Sequence, residues 1–207
     1  MINDAASNPF AGRAGRYIAQ PTGYRAFIPT PLPPLPPVRL EGELLRLLSD
    51  ADRALGRLDG SVHTLPNPDM FVYMYVRKEA VLSSQIEGTQ SSLQDLLSAE
   101  ADLSGNDTPR DVDEVVNYVR AMNRGLARLQ ELPVSVRLIR EIHAEMLQGW
   151  RGSRLTPGEL RRSQNWIGGS CLADAAFVPP HHEGVPELMG DLEKFWHNEA
   201  VVVPHLV

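Results

Sequence analysis

Ser83 and Glu87 are four residues apart, a spacing that can present a hydroxyl and a carboxylate together. On a helix, residues at this spacing lie on the same face, one turn apart. A carboxylate presented in this way can accept two hydrogen bonds from one arginine. Since surface ion pairs are common and weak, an exposed helix end with a surface acid is the alternative interpretation. Gly88 follows directly and is a typical helix stop.

The adjacent residues His181, His182 and Glu183 form a second group with metal-ligating side chains. Neighbouring side chains in an extended segment point to opposite faces, so we do not expect the two imidazoles to converge on one ion. The HExxH spacing of zinc-binding helices is also missing. The sequence therefore predicts a solvated rim here and no metal site.

Helical periodicity predominates in the elements that must position these residues. Leucines recur at three- and four-residue steps from Leu40 to Leu58, which predicts a helix with one buried face. Pro66 to Asp69 are expected to form a turn and the start of a second helix, which ends near Gly88. Cap and proline signals predict further helices that start near Ser92, Thr108, Ser135 and Pro186. The predicted fold class is mainly α, with one β-hairpin.

Three segments lack the helical pattern. Residues 1–22 show no periodicity and are expected to be a poorly ordered lead-in. Six prolines in 27–38 fix φ repeatedly and predict an extended strap, with a ligand for a proline-reading domain as the alternative. Residues 163–167 and 175–178 flank a Gly-rich loop, which predicts a small hairpin.

Composition and charge limit the classes of partner. The formal net charge is -6 and the pI is about 5.5, so we do not expect nucleic acid as a partner. Cys171 is the only cysteine, which favours a reducing compartment. The N-terminus has no signal-peptide pattern, and no apolar run approaches the roughly 20 residues of a membrane span. The expected location is cytoplasmic, without membrane contact.

The motif Ser83-Ser84-Gln85-Ile86-Glu87-Gly88 resembles the inhibitory pattern [S/T]xxxE[G/N] of the Fic family. Other segments follow in that family's order, over roughly Tyr24 to Val207. The Pro-rich strap precedes the motif, and the segments that follow it are Leu138–His143, Pro157–Arg161, Gln164–Gly168, Phe177–Pro180 and Val185–Met189. The chain thus resembles the N-terminal part of a Fic protein. This resemblance implies that the mainly α fold is a Fic-like helical bundle with one β-hairpin flap.

The resemblance implies transfer of AMP from ATP to a hydroxyl of a target protein, with Mg²⁺ as the expected metal. The family performs this chemistry with an HPFxxGNGR-type motif, which this sequence lacks. None of its six histidines is followed by Pro-Phe, and no Gly-Asn-Gly occurs. We therefore expect a chain that is truncated before the catalytic motif, contains no catalytic residue and is inactive alone. ATP and Mg²⁺ binding is expected only in a full-length parent.

By the same resemblance, Glu87 is a regulatory residue that pairs with an arginine of the absent motif and occupies the place of the ATP γ-phosphate. Ser83 supports it by hydrogen bonding, and Gly88 lets the chain turn away. The predicted hairpin resembles the flap that pairs with the target's main chain, and a purely structural hairpin is the alternative. The flap residues are Gln164, Asn165, Trp166, Ile167, Phe177 and Val178.

The predicted organisation is a flexible lead-in at 1–26, the strap and N-terminal helical region at 27–131, and the first part of the Fic domain at 132–207. An apolar face at Leu192, Phe195 and Trp196 is expected to stay uncovered, which favours a homo-oligomer or a complementing C-terminal fragment. The alternative function is a standalone module that regulates or binds another protein. A helical scaffold unrelated to nucleotides leaves the ordered run of matches unexplained.

Overall fold

The computed structural model describes residues 12–86, 88–101, 111–148, 156–201, 204 and 206. Within these residues the chain is mainly helical, with one small antiparallel hairpin, which confirms the predicted fold class. The elements in chain order are β1 (Gly15–Ala19), β2 (Arg25–Pro29), α1 (Gly42–Val62), α2 (Pro68–Ile86), α3 (Leu93–Glu100), α4 (Val112–Arg128), α5 (Val136–Met146) and α6 (Val185–Trp196).

The described residues fall into two compact units. Ser49–Glu159 form one unit, and the residues before and after that range form the other. The first unit is therefore continuous in sequence, whereas the second is built from both ends of the chain. The domain bounds expected from the sequence stay a prediction.

Side-chain caps begin three of the helices at the predicted places. Ser92 and Asp95 form a reciprocal capping box at the start of α3. The Ser135 hydroxyl accepts from the backbone N–H of Leu138 at 3.2 Å, and Asn67 Oδ1 accepts from that of Met70 at 3.0 Å. These caps satisfy amide groups that the first helical turn leaves without partners. The helix start predicted at Thr108 lies outside the described residues.

The core of the Ser49–Glu159 unit lies where α2 and α3 pack on α4. Ala80, Leu96 and Val115 are completely buried there, and Val81 and Val119 are nearly so. Since fully burying a valine or leucine contributes about 1.5–3 kcal/mol, this small cluster supplies much of the unit's stability.

A partly buried ion pair borders this core. Arg77 is only 5% exposed, and its guanidinium donates twice to the Glu100 carboxylate, at 2.6 and 2.7 Å. Its third contact is a hydrogen bond of 3.0 Å to the carbonyl oxygen of Tyr73, whose ring lies 3.1 Å from the guanidinium carbon. The charge is tolerated because these polar partners replace water.

The α4–α5 contact depends on a small residue, Gly125. A Cβ at this position would come within 2.8 Å of the Ile142 side chain. Arg128 and Glu141 join the same two helices through a hydrogen bond of 2.8 Å. Two arginines, Arg128 first and then Arg137, lower the pKa of Glu141 by donating hydrogen bonds to its carboxylate.

The N-terminal hairpin corrects two of our predictions. β1 and β2 pair antiparallel from Gly15 opposite Pro29 to Ala19 opposite Arg25. The expected lead-in therefore contains a strand, and the first residues of the expected strap belong to another. Beyond Pro29 the strap has bends at 32–33 and 35–36 rather than one continuous extended conformation. The sequence analysis did not predict β1, because the residues of this strand do not alternate between apolar and polar.

The buried face predicted for α1 is also corrected. The helix forms as expected, but none of its residues is buried among the described part of the chain. Leu44, Leu47, Leu55 and Leu58 are 44–63% exposed. Helical periodicity identifies an apolar stripe but not what covers it. None of the described helices combines the length and apolarity that crossing a bilayer demands.

We predict that Glu100→Gln destabilises the protein by roughly 3 kcal/mol, because it leaves the buried Arg77 charge without a carboxylate. Urea unfolding followed by circular dichroism would measure the loss. Glu43→Gln is the control, since its pair with Arg46 is exposed and should contribute at most about 1 kcal/mol. Equal effects of the two substitutions would contradict a stabilising role for the Arg77–Glu100 pair.

Candidate functional site

The C-terminal end of α2 carries the predicted inhibitory motif. The backbone N–H of Gly88 donates to the carbonyl oxygen of Gln85, and that of Thr89 to Ser84, both at 3.1 Å. This pair of bonds is a Schellman motif, which requires a left-handed residue after the helix. Gly88 has φ of +99° and supplies that conformation. The predicted helix stop is confirmed.

Ser83 projects from the last turns of α2 and is partly exposed. Its hydroxyl donates to the Glu79 carboxylate at 2.7 Å, one turn earlier in the helix. Glu87 lies outside the described residues, so its expected contact with Ser83 stays a prediction. The sequence reading missed Glu79, although its spacing from Ser83 is the same four residues that singled out Glu87.

Asp111, the residue directly before α4, holds the chain that leaves α2. The Asp111 carboxylate accepts from the Gln90 backbone N–H at 2.6 Å and from the Ser91 hydroxyl at 2.7 Å. Gln85 also donates to the Ser91 carbonyl oxygen at 3.1 Å. The Asp111 side chain makes no cap bond at the start of α4. Asp111 instead fixes the exit of the motif.

An open groove borders the motif on α2. It has a volume of about 440 Å³ and is lined by Tyr75, Val76, Lys78, Glu79, Leu82 and Met122. Leu82 is 48% exposed and Ile86 is 87% exposed, so the motif stands beside apolar surface. Among the described residues that line the groove, the only cation is Lys78, which has Glu79 beside it.

These residues do not fit ATP or Mg²⁺ by themselves. A phosphate site needs several converging N–H or cationic donors, as in glycine-rich loops at helix starts. The groove offers one lysine and a carboxylate, and it lies near the end of a helix, where the dipole disfavours anions. The nucleotide chemistry implied by the resemblance therefore depends on residues other than these.

The predicted flap lies in the other compact unit. Ile167 and Phe177 form an antiparallel bridge, with N–H to carbonyl distances of 2.8 and 3.1 Å. The expected hairpin is thus present as a single bridged pair rather than as two strands. Trp166 and Ile167 are 40% and 67% exposed, and Asn165 is exposed as well.

The flap loop is ordered by one carboxylate. Asp174 accepts from the backbone N–H groups of Cys171, at 2.7 Å, and Ser170, at 2.9 Å. These hydrogen bonds, that of Cys171 first, hold the pKa of Asp174 well below its usual range. Gly169, with φ of +74°, passes so close to Asp174 that a side chain would clash with it.

The base of the flap is tied to β2. The carbonyl oxygen of Val178 accepts from the Phe27 N–H at 2.8 Å, and the Val178 side chain is 2% exposed, packed with Tyr24 and Ala26. The Phe177 ring lies 5.8 Å from that of Phe27. Val178 therefore supports the flap from inside. Although Val178 was predicted as a flap residue, its side chain is not exposed to a target.

Gln164 also supports the flap rather than extending from it. Its side-chain amide donates to the carbonyl oxygen of Pro179 at 3.1 Å, across the base of the loop. Of the six flap residues predicted from sequence, the exposed ones are Asn165, Trp166 and Ile167.

The prediction that the side chains of His181 and His182 point to opposite faces is wrong. His181 and His182 have ring centroids 4.1 Å apart, so the side chains do not point to opposite faces. The reason is local, because residues His182–Gly184 form a 3₁₀ turn instead of continuing the extended segment.

The geometry defines a mainly helical protein with an exposed motif at a helix end in one unit and a short bridged flap in the other. Residues 45–127, from α1 to α4, match the model of the Fic/DOC family N-terminal region, which supports the expected resemblance to the N-terminal portion of a Fic protein. No curated protein matches the chain significantly.

We predict that Asp174→Ala loosens the flap loop. Hydrogen–deuterium exchange of the Ser170 and Cys171 amides should be faster in the variant at neutral pH. In the wild type, this protection should be complete above the ordinary aspartate pKa of about 3.9 and lost as the pH falls through the lowered value. Asp191→Ala is the control, since Asp191 pairs with Lys194 on α6. Unchanged amide exchange in Asp174→Ala would contradict the prediction.

Proposed function

We propose that this chain is the N-terminal regulatory part of a Fic-type enzyme that transfers AMP from ATP to a hydroxyl side chain of a target protein. The observation that carries the proposal is that the family match, residues 45–127, includes the whole motif Ser83–Gly88. The catalytic residues, ATP and Mg²⁺ are assigned to a longer protein that contains this chain. The chain alone should not transfer AMP. The cytoplasmic location belongs to the same proposal.

The regulatory step assigned to α2 is electrostatic. Glu87 presents its carboxylate to an arginine of the HPFxxGNGR-type motif and so takes the place of the terminal phosphate of ATP. A nucleotide without this anchor is misaligned for in-line attack on its α-phosphate. The tight turn at Gly88 and the hold of Asp111 on Gln90 and Ser91 support this role, because they fix where the helix ends.

Glu79 has a place in the same mechanism. A serine hydroxyl has one proton to donate, and that of Ser83 is donated to Glu79. A hydrogen bond from Ser83 to Glu87 requires the hydroxyl to rotate away from Glu79. The two carboxylates therefore compete for one donor, which links the strength of inhibition to the Ser83 rotamer.

The flap supports the proposed target binding. An extended target segment can pair with the main chain at the exposed Asn165–Ile167 edge irrespective of its own sequence. The bridge to Phe177, the Asp174 loop and the Val178 contact hold that edge in place. The target protein is thus the partner proposed for this surface.

A non-catalytic protein-binding module is the second candidate. The observation that favours it is the apolar surface of α1 and α2, where Leu58, Phe71 and Tyr75 are each at least half exposed. The same surface suits a homo-oligomer or a complementing fragment. An HPFxxGNGR-like sequence encoded by the source gene favours the transferase, and its absence there favours the module.

We predict that Glu87→Gly in the full-length parent raises AMP transfer, because the arginine and the terminal phosphate site are released. Incorporation of radiolabelled AMP into protein would measure this increase. Ile86→Gly is the matched control, since Ile86 is 87% exposed and the substitution introduces the same backbone freedom one residue earlier. Activity of Glu87→Gly no higher than that of the wild type would rule out the inhibitory role.

We predict that Ile167→Pro abolishes target labelling, because proline removes the N–H that donates to Phe177. Ile167→Ala keeps this N–H and removes an exposed side chain, so it should retain most of the labelling. ATP binding by the parent, measured by calorimetry, should be the same in both variants. If Ile167→Pro labels the target normally, the flap is structural.

A further inference from the structure

We propose that His181, His182 and Glu183 bind a divalent transition-metal ion of the zinc type. The three residues lie at the start of the segment that leads into α6. The inference concerns only these side chains and is independent of AMP transfer. It replaces our prediction that the two histidines diverge.

The geometry brings three potential ligands together. One ring nitrogen of each histidine and one carboxylate oxygen of Glu183 lie within 4.8 Å of one another. His181 Nδ1 is 3.5 Å from Glu183 Oε2. Ligands bound to zinc at about 2.0–2.2 Å lie roughly 3.3–3.5 Å apart in a tetrahedron. The His181–Glu183 distance already fits this spacing, and the His182 nitrogen lies within 4.8 Å of both ligands.

His182 contributes a second, independent observation. Its Nδ1 atom is buried and has no hydrogen-bond partner in the described part of the chain. A buried ring nitrogen without a partner is unfavourable, because it has lost its hydrogen bonds to water and gained none in return. An ion bound at this cluster offsets that penalty, either as a direct ligand of Nδ1 or by holding the ring where Nδ1 can bind a metal-bound water.

The backbone before the cluster is fixed by two neighbouring side chains. The Arg161 guanidinium donates to the carbonyl oxygen of Pro180, the residue directly before His181. Gln164 donates to the carbonyl oxygen of Pro179 at 3.1 Å. The ligands therefore stand on an ordered segment, which lowers the entropy lost when they bind an ion.

The donor set identifies the class of ion. Two imidazoles suit zinc, nickel and copper, whereas calcium and magnesium prefer sites built of oxygen atoms. The Glu183 carboxylate offsets one of the two positive charges. His181 and Glu183 are 46% and 82% exposed as side chains, so the remaining coordination positions are open to water. We expect reversible binding rather than a structural zinc site.

Calorimetric titration of the untagged, chelator-treated chain with zinc chloride at neutral pH tests the proposal. We expect one zinc ion per chain. His182→Ala should weaken binding at least about 10-fold, since even the loss of an outer-shell partner costs about 10- to 100-fold. Glu183→Gln should weaken it as well, because the amide carries no charge.

His63→Ala is the matched control, because this exposed histidine lies in the other compact unit. It should leave the zinc affinity unchanged. Circular dichroism of each variant distinguishes a folding defect from the loss of a metal-binding side chain. The proposal is overturned if the wild type does not bind zinc, or if a folded His181→Ala/His182→Ala double variant binds it with wild-type affinity.

Discussion

The packing of α2 on α3 and α4 is the interaction on which the arrangement of the Ser49–Glu159 unit depends. Ala80 is the smallest residue of that contact and is completely buried, so α2 can approach its neighbours closely. One face of α2 is thereby fixed, and the remaining face carries Leu82, Ser83 and Ile86 towards the surface. The direction of the Ser83 motif is therefore a consequence of core packing rather than of the motif's own contacts.

The buried Arg77 adds specificity to this packing. Apolar contacts between helices tolerate sliding, whereas a bidentate pair between α2 and Glu100 is satisfied in a single register. A shift of α2 by one turn would separate the guanidinium from the carboxylate and leave a charge inside the protein. The ion pair and the Schellman turn at Gly88 thus define the two ends of the α2 segment that presents the motif.

The sequence predicted best what neighbouring residues determine. The starts at Asn67, Ser92 and Ser135 follow from a polar side chain and an amide three residues later, and all three caps are present. The stop at Gly88 follows from glycine's freedom at positive φ. These features involve only a few consecutive residues, so one sequence contains all the information that they need.

The sequence did not predict what depends on distant partners. The pairing of β1 with β2, the role of Asp111 and the exposure of the α1 leucines are each decided by residues elsewhere in the chain. The prediction for the histidine pair was wrong for a different reason, because one short turn changes the direction of adjacent side chains. The regulatory residues were suggested by resemblance, and the position of Glu87 stays a prediction.

The bond between Phe27 and Val178 joins residues about 150 positions apart, and this separation affects how the chain folds. Closing so long a loop carries a large entropic penalty, whereas the helices of Ser49–Glu159 meet through much shorter loops. A ribosome also releases β2 long before it has made Val178. The helical unit can therefore fold during synthesis. The contact between β2 and the flap can form only after Val178 has been made.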